Sequence, residues 1–225
     1  MKYNIIGSSS KGNSIIVENV LMLDCGVSYS KIKEYLPKVK LIFISHVHKD
    51  HLNPTTVQKI AYNFPKIKFL TGSTEVVQKL VKSKVPMKNI FYIETINGSR
   101  WFDLGIISIK LEPLEHDAEN YCLHFDIYGK KGIYAVDTSK IDNIEAKNYD
   151  LYLIENNYQE NVLKRHIEEC EDENKLYYLN RVPKTHLSAE KANSFLIENM
   201  GENSEFCYIH QSSYNYEGEE NNGNF

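Results

Sequence analysis

Four cysteines stand in this chain of 225 residues, Cys25, Cys122, Cys170 and Cys207, and none forms a CxxC pair. That excludes a cysteine-rich zinc site and gives no disulfide framework; four reduced, mostly buried thiols are expected. No stretch approaches eighteen consecutive apolar residues, so no bilayer span is expected. Residues 1–10 lack an apolar run with a cleavage site, so no secretory signal is read and a cytoplasmic location is expected. A basic surplus is also missing, with 26 Lys+Arg against 30 Asp+Glu and a net charge of −4. A binder of long polyanions is normally basic, whereas a small anionic substrate held by metal ions remains compatible with this balance. No internal repeat is visible, nor any linker long enough to divide domains. What is present is ordinary globular usage, 42% apolar and 25% charged, enough to bury a sizeable core. The expected organisation is one domain over residues 1–215 and a loose acidic tail over 216–225.

Short apolar, β-branched runs read as strands at Asn4–Ile6, Ile15–Glu18, Leu21–Leu23, Leu41–Ser45, Ile67–Leu70 and Ile90–Ile93. Further strands are expected at Arg100–Leu104, Ile106–Leu111, Tyr121–Tyr128, Gly132–Val136, Leu151–Ile154 and Phe206–Ile209. Helical periodicity covers Thr55–Phe64, Thr74–Lys82, Glu160–Glu169 and Ala189–Met200, the last capped by Ser188. A short helix capped by Ser28 or Ser30 runs through Leu36, before Pro37. Two half-sets of strands, each interleaved with helices, predict a layered α/β sandwich.

The chemistry concentrates in Ser45-His-Val-His-Lys-Asp-His51, where three of the eight histidines fall within six residues directly after a buried-type strand. Neutral imidazoles and a carboxylate are ligand types suited to zinc. A strand ending in a loop can turn His46 and His48 towards one ion, and Asp50 and His51 towards a second. His124 and His166 are assigned to packing or solvent.

The HxHxDH pattern resembles the signature of the metallo-β-lactamase fold superfamily, whose fold is a four-layer αβ/βα sandwich. That resemblance implies two metal ions, Zn²⁺ by default with Mn²⁺ as the other candidate. His46, His48 and His116 would hold one ion and Asp50, His51 and His210 the other, with Asp137 as the bridge and Asp24 supporting the metal loop from behind. The segment Gly7 to Ser14 (GSSSKGNS), the Glu155-Asn-Asn stretch and Thr185-His186-Leu-Ser188 are similar to the phosphodiesterase branch. YycJ-like enzymes, tRNase Z and the phage anti-Pycsar phosphodiesterases are its members here. The catalytic set this implies is His186, Glu155 and Asp50, with His186 and Glu155 handling the leaving-group proton. Ser188 and the amides of Asn13 or Asn215 are candidates to position phosphate. Tyr158, Tyr214 and Tyr216 are candidates to stack on a base.

Departures from the superfamily narrow the expectation. Asp137 stands where lactamases commonly carry cysteine. Only residues 117–136 separate His116 from Asp137, too few for the tRNA-gripping arm of tRNase Z, and no β-CASP domain follows. The basic cluster Lys164-Arg165-His166 is diluted by Glu168, Glu169 and Glu171. The expected substrate is therefore a small anionic phosphodiester, a cyclic nucleotide of the cCMP or cUMP immune-signal type cut to a linear monophosphate, rather than a long nucleic acid. If the gene is phage-borne, the setting is the host cytoplasm. Other readings are a YycJ-like single-strand DNA exonuclease, a thioester or lactone hydrolase on the same metals, and a protein that sequesters a nucleotide without cutting it. Related enzymes are homodimers, and Asn157–Glu173 is the segment expected to cap a neighbour's pocket.

Overall fold

The computed structural model describes residues 1–95 and 99–214. Two six-stranded sheets face one another. The first runs in simple chain order: β1 (Tyr3–Gly7), β2 (Ser14–Val17), β3 (Leu21–Leu23), β4 (Leu41–Phe43), β5 (Lys68–Thr71) and β6 (Ile90–Tyr92). The second is ordered in reverse from β12 (Glu205–Ile209) through β11 (Leu151–Glu155), β10 (Lys130–Ala135), β9 (Asn120–Ile127) and β8 (Ile107–Leu114) to β7 (Phe102–Asp103).

Strand periodicity sorts the side chains into layers. In β4, Leu41 and Phe43 face the core between the sheets, while Ile42 faces the outer helices. In β11, Leu151 and Leu153 enter the same central core, and Tyr152 and Ile154 pack outward. Outside the first sheet lie α1 (Tyr29–Ile32), α2 (Pro54–Asn63) and α3 (Thr74–Lys82), which contribute Ile32, Val57, Ile60, Val76 and Leu80 to the outer core. Outside the second lies α6 (Ala189–Asn199), through Ala192, Phe195 and Leu196. A smaller cluster joins α4 (Glu160–Glu168) to α5 (Glu173–Thr185) through Leu163, Leu179, Val182 and Tyr158. The result is the expected four-layer αβ/βα sandwich. Among the described residues, no helix is long and apolar enough to cross a membrane.

The strands agree with the sequence expectations to within a few residues, and α3 agrees at both ends. Ser188 caps α6 by accepting from the Lys191 amide. Two helices differ. The first stops at Ile32, and the chain continues in turns towards Pro37. The second, α5, was not expected, because Pro183 lies in its last turn and its composition is polar. Its start is nevertheless encoded: Asp172 accepts from the Lys175 amide as an N-cap, and Glu173 follows in the first turn.

Strand directions place the site. Strands β3 to β6 are mutually parallel, as are β10, β11 and β12, and β8 shares their direction because it pairs antiparallel with β9, which pairs antiparallel with β10. The C-terminal ends of β3, β4, β8, β10, β11 and β12 deliver Asp24, His46, His116, Asp137, Glu155 and His210 to one edge. Ligand sites of open α/β sheets lie at such carboxyl ends.

The loop after β4 is fastened to this edge by backbone hydrogen bonds. The Asn13 amide donates to the Asp50 carbonyl (2.7 Å), Cys25 N–H to the His51 carbonyl and Asn53 N–H to the Cys25 carbonyl (2.9 Å each). Gly26 permits this approach, since a Cβ there would lie 1.6 Å from the Asp50 carbonyl oxygen. Gly26→Ala is therefore expected to destabilise the fold by about 1–3 kcal/mol through forced backbone displacement. Urea denaturation measures this, and an unchanged midpoint would contradict the close approach.

Candidate metal centre

His46, His51, His116 and His210 each have Nδ1 engaged by a neighbouring group, which turns Nε2 inward. His116 Nδ1 lies 3.0 Å from the Thr185 carbonyl, which can only accept, so Nδ1 carries the proton and Nε2 has the lone pair. His51 Nδ1 donates to Asp24 Oδ2 at 2.6 Å, leaving Nε2 inward. His46 Nδ1 lies 3.0 Å from Ser45 Oγ, and His210 Nδ1 3.2 Å from Glu155 Oε1. For His48 the inward atom is Nδ1, 3.3 Å from His116 Nε2.

The inward atoms form two groups that share Asp137. His46, His48, His116 and Asp137 offer atoms all within 4.8 Å of one another, and so do Asp50, His51, Asp137 and His210. Asp137 Oδ2 stands 3.3 Å from His46 Nε2 and 2.9 Å from His51 Nε2. These separations suit a shared cation, because two ligands each about 2.0–2.2 Å from one ion lie roughly 3–3.5 Å apart. His46 Nε2 and His210 Nε2 are buried and make no hydrogen bond. Orphaned polar atoms converging on one spot are costly in a dry interior. A pair of divalent cations would satisfy them, so the donor set fits the expected metals.

Behind the cluster, Asp24 accepts from Ser45 N–H (2.8 Å), Ser45 Oγ (2.9 Å), His51 Nδ1 and Tyr134 Oη (2.7 Å). The GSSSKGNS segment serves both sides of the site. Ser8 Oγ accepts from the His210 amide at 2.8 Å, and Asn13 Nδ2 reaches Asp50 Oδ2 (3.3 Å) and His51 Nε2 (2.9 Å). A third group forms where β11 ends. Glu155 Oε2 accepts from the Thr138 and Leu187 amides at 3.0 and 3.1 Å. Its Oε1 lies 2.7 Å from His186 Nδ1. His186 Nδ1 is also 3.2 Å from Asp137 Oδ1.

The two metal groups differ in protonation. Burial, with His51 next to it, holds His46 well below the usual imidazole range, and burial lowers His116. Both are neutral, ready ligands. Burial would lower His51 and His210 too, but Asp24 and Asp137 outweigh it at His51, and Asp137 and Asp50 at His210, so both are raised well above 6.5. Burial would raise Asp50, yet the neighbouring His210 and His51 rings hold it well below the carboxylate range. His186 is half-buried, which would lower it, but Glu155 and Asp137 raise it to about 9.

Above the cluster lies a cavity of about 180 Å³ lined by His48, Asp50, Asp137, His186, Tyr178 and Arg181 among others. The last two come from α5. Several residues singled out in the sequence stand elsewhere. Ser188 Oγ is used by the α6 cap and by donation to Glu160 Oε1 (2.8 Å), so it is not free for phosphate. Asn13 is buried and holds the metal loop. Tyr158 is buried in the α4–α5 cluster, and Tyr214 stacks on His166 with centroids 4.4 Å apart. Asn215, Tyr216 and the tail lie outside the described residues. His124 is a packing residue, buried with Nδ1 3.2 Å from Tyr149 Oη. Lys164 is exposed and pairs with Glu168 along its own helix.

Among solved structures, human tRNase Z, short form, superposes with a TM-score of 0.68 at 14% identity, over 95% of this chain and 93% of that one. The metallo-β-lactamase fold protein YhfI from Bacillus subtilis superposes with a TM-score of 0.68 at 16% identity, over 94% and 86%. The chain has the metallo-β-lactamase fold. A third structure with that arrangement of sheets, Zn²⁺-bound PqqB from Methylobacterium extorquens, gives a TM-score of 0.64 at 11% identity, over 96% and 90%. In sequence, 111 residues are 41% identical to the cytidine monophosphate-N-acetylneuraminic acid hydroxylase of Sus scrofa, 48% of this chain. The chain spans about a quarter of that relative's length. No protein-family model matches.

The protonation difference predicts a two-step metal titration. A metal must displace the protons on His51 and His210, whose metal-free pKa values are raised, whereas His46 and His116 are already neutral. One step is therefore expected to release protons and weaken as the pH falls, and the other to be much less sensitive. Calorimetric zinc titration in two buffers of different ionisation enthalpy reads the proton count. No release at pH 7 in either step would contradict the assignment.

Proposed function

We propose that this protein is a two-metal phosphodiesterase acting on small cyclic nucleotides. The observation that carries the reading is the contact between His186 Nδ1 and Glu155 Oε1 at 2.7 Å, beside two ligand groups that share Asp137. Thioester hydrolysis expels a thiolate that leaves without a proton, whereas an alkoxide leaving phosphorus needs one.

His46, His48, His116 and Asp137 would hold one ion, and Asp50, His51, His210 and Asp137 the other. When bound, such ions supply Lewis acidity towards phosphoryl oxygens and activate a water at neutral pH. His186 does the proton work. With Nδ1 held by Glu155, the proton for the leaving oxygen comes from Nε2, and the Glu155 carboxylate favours the charged ring. Asp50, a metal ligand on the cavity wall, orients the attacking water by accepting from it. Zn²⁺ is the proposed ion, in line with the donor set.

A small substrate is supported by the stretch between His116 and Asp137. It is filled by the β9–β10 hairpin, which is part of the sheet and leaves no polymer-gripping arm. The net charge of −4 works in the same direction. The cyclic pyrimidine mononucleotides of immune signalling are the proposed substrates, cut to linear monophosphates in the cytoplasm. We further propose a homodimer in which residues 157–173 cap the neighbour's pocket. Light scattering tests it, and a fully active monomer would refute it.

Purified, metal-replete protein offered cyclic CMP, UMP, AMP and GMP beside single-stranded DNA is expected to produce linear monophosphates, and chelator to stop it. Shortening of the DNA alone would move the function to nucleic-acid processing on the same metals. His48→Ala is expected to lose metal and activity together. His186→Ala should keep its metal and lose about 10²–10⁴-fold in kcat. Equal metal loss in both variants would mean that His186 is a ligand rather than the proton donor.

A further inference from the structure

Arg181 is the one side chain with a permanent positive charge on the wall of the cavity over the metal cluster, among the described residues. It lies on α5, one helical turn before the Thr185 carbonyl that holds His116. It also lines a second cavity of about 410 Å³, together with Asp117, Tyr177, Asn180 and Lys184. The two cavities meet at His116, Arg181 and Thr185. Arg181 thus stands between the space over the ions and a larger space that offers an aromatic ring, a side-chain amide and a second cation.

The guanidinium is ion-paired through Nη2 to Asp117 Oδ2. The other oxygen of that carboxylate, Oδ1, is 3.1 Å from His116 Nε2 and 3.5 Å from His48 Nε2. An anionic oxygen pair therefore already sits between the guanidinium and the cluster. The pair is half-open to solvent, with side-chain exposures of 50% and 33%. Ion pairs this exposed hold weakly. A phosphate presents the same two-oxygen edge with more charge, and a guanidinium matches it with two parallel N–H donors.

We propose that Arg181 is the substrate-phosphate anchor, and that Asp117 holds its guanidinium in place until a nucleoside phosphate displaces the carboxylate. The nucleoside part then extends along α5 into the larger cavity, where Tyr177 offers a face for stacking and Asn180 an edge for hydrogen bonding. This inference rests on the phosphodiesterase reading for its substrate class, but its geometry concerns binding and not turnover.

Equilibrium binding to zinc-loaded protein tests it, with inorganic phosphate and cytidine monophosphate as probes and uncharged cytidine as the control. Arg181→Gln is expected to weaken both anionic probes by about 10- to 100-fold, the loss of one charge-assisted contact. Zinc content and cytidine binding should stay as in the wild type, and Arg181→Lys should be intermediate. Asp117→Asn should shift the other way and tighten both probes up to about fivefold, since a competing anion is removed. Anion affinity indifferent to Arg181→Gln, or no anion binding by the wild type, would overturn the proposal. If the anions bind through Arg181 but no phosphodiester is cut, the anchor stands and the phosphodiesterase reading fails. If cyclic nucleotides are cut with a KM that Arg181→Gln leaves unchanged, the reverse holds.

Discussion

The carboxylate of Asp24 is the point on which the site depends. It is fully buried and accepts four hydrogen bonds, two from Ser45, one from His51 and one from Tyr134. Tyr134 belongs to the second sheet and Asp24 to the end of a strand of the first, so this one group ties the sheets together at the edge where the ligands gather. A buried charge is tolerable only when its hydrogen-bonding capacity is filled, and removing one partner leaves a penalty of several kcal/mol. The same contact fixes the proton of His51 on Nδ1 and so makes Nε2 a ligand atom. Folding and ligand geometry therefore draw on the same interaction.

Strand ends carry a second constraint. Asp24, Asp137 and His210 have positive φ values of 57°, 51° and 57°. Each terminates a strand and turns the chain in a single residue. Asp and His tolerate this region better than branched residues, yet it remains a strained choice. The gain is directional: a strand that continued in extended form would send alternate side chains to opposite faces of its sheet. The left-handed turn keeps the polar side chain at the edge and lets the backbone leave. Ser8 holds the turned His210 amide, and Asp24 accepts from the Ser45 amide that starts the metal loop, so hydrogen bonds from neighbouring loops stabilise these turns.

Most of this was legible because metal ligands are drawn from few residue types and sit at strand ends, which period-two apolar runs mark well. His46, His48, Asp50 and His51 follow a run buried on both faces, and Asp137 and His210 each close another. The α5 wall was not legible. Its apolar contacts, Leu179 and Val182, are sparse, and Pro183, which cannot donate to the carbonyl four residues back, reads as a break although the helix runs two residues past it. Missing α5 meant missing Tyr178 and Arg181, and assigning the aromatic role to Tyr158 and Tyr214 by nearness in sequence. Those rings instead complete local packing, one in the α4–α5 cluster and one against His166. Ser188 misleads for a related reason. A hydroxyl beside a candidate catalytic histidine looks available, but as an N-cap it is already committed to the helix it starts.

Glu155 explains why His186 and His210 hold a fixed relation. Two backbone amides, from Thr138 and Leu187, bind Oε2 and prevent the carboxylate from turning. Its Oε1 then lies between His186 Nδ1 at 2.7 Å and His210 Nδ1 at 3.2 Å. Orienting one imidazole orients the other. An oriented, pre-paired acid needs little reorganisation when charge develops on a leaving oxygen, and that is where fixed dipoles and charges lower a barrier most. The carboxylate draws its own rigidity from main-chain groups of two elements, the turn after β10 and the start of α6. The geometry of the cluster is thus set by the sandwich itself, while α5 is held through a few apolar residues.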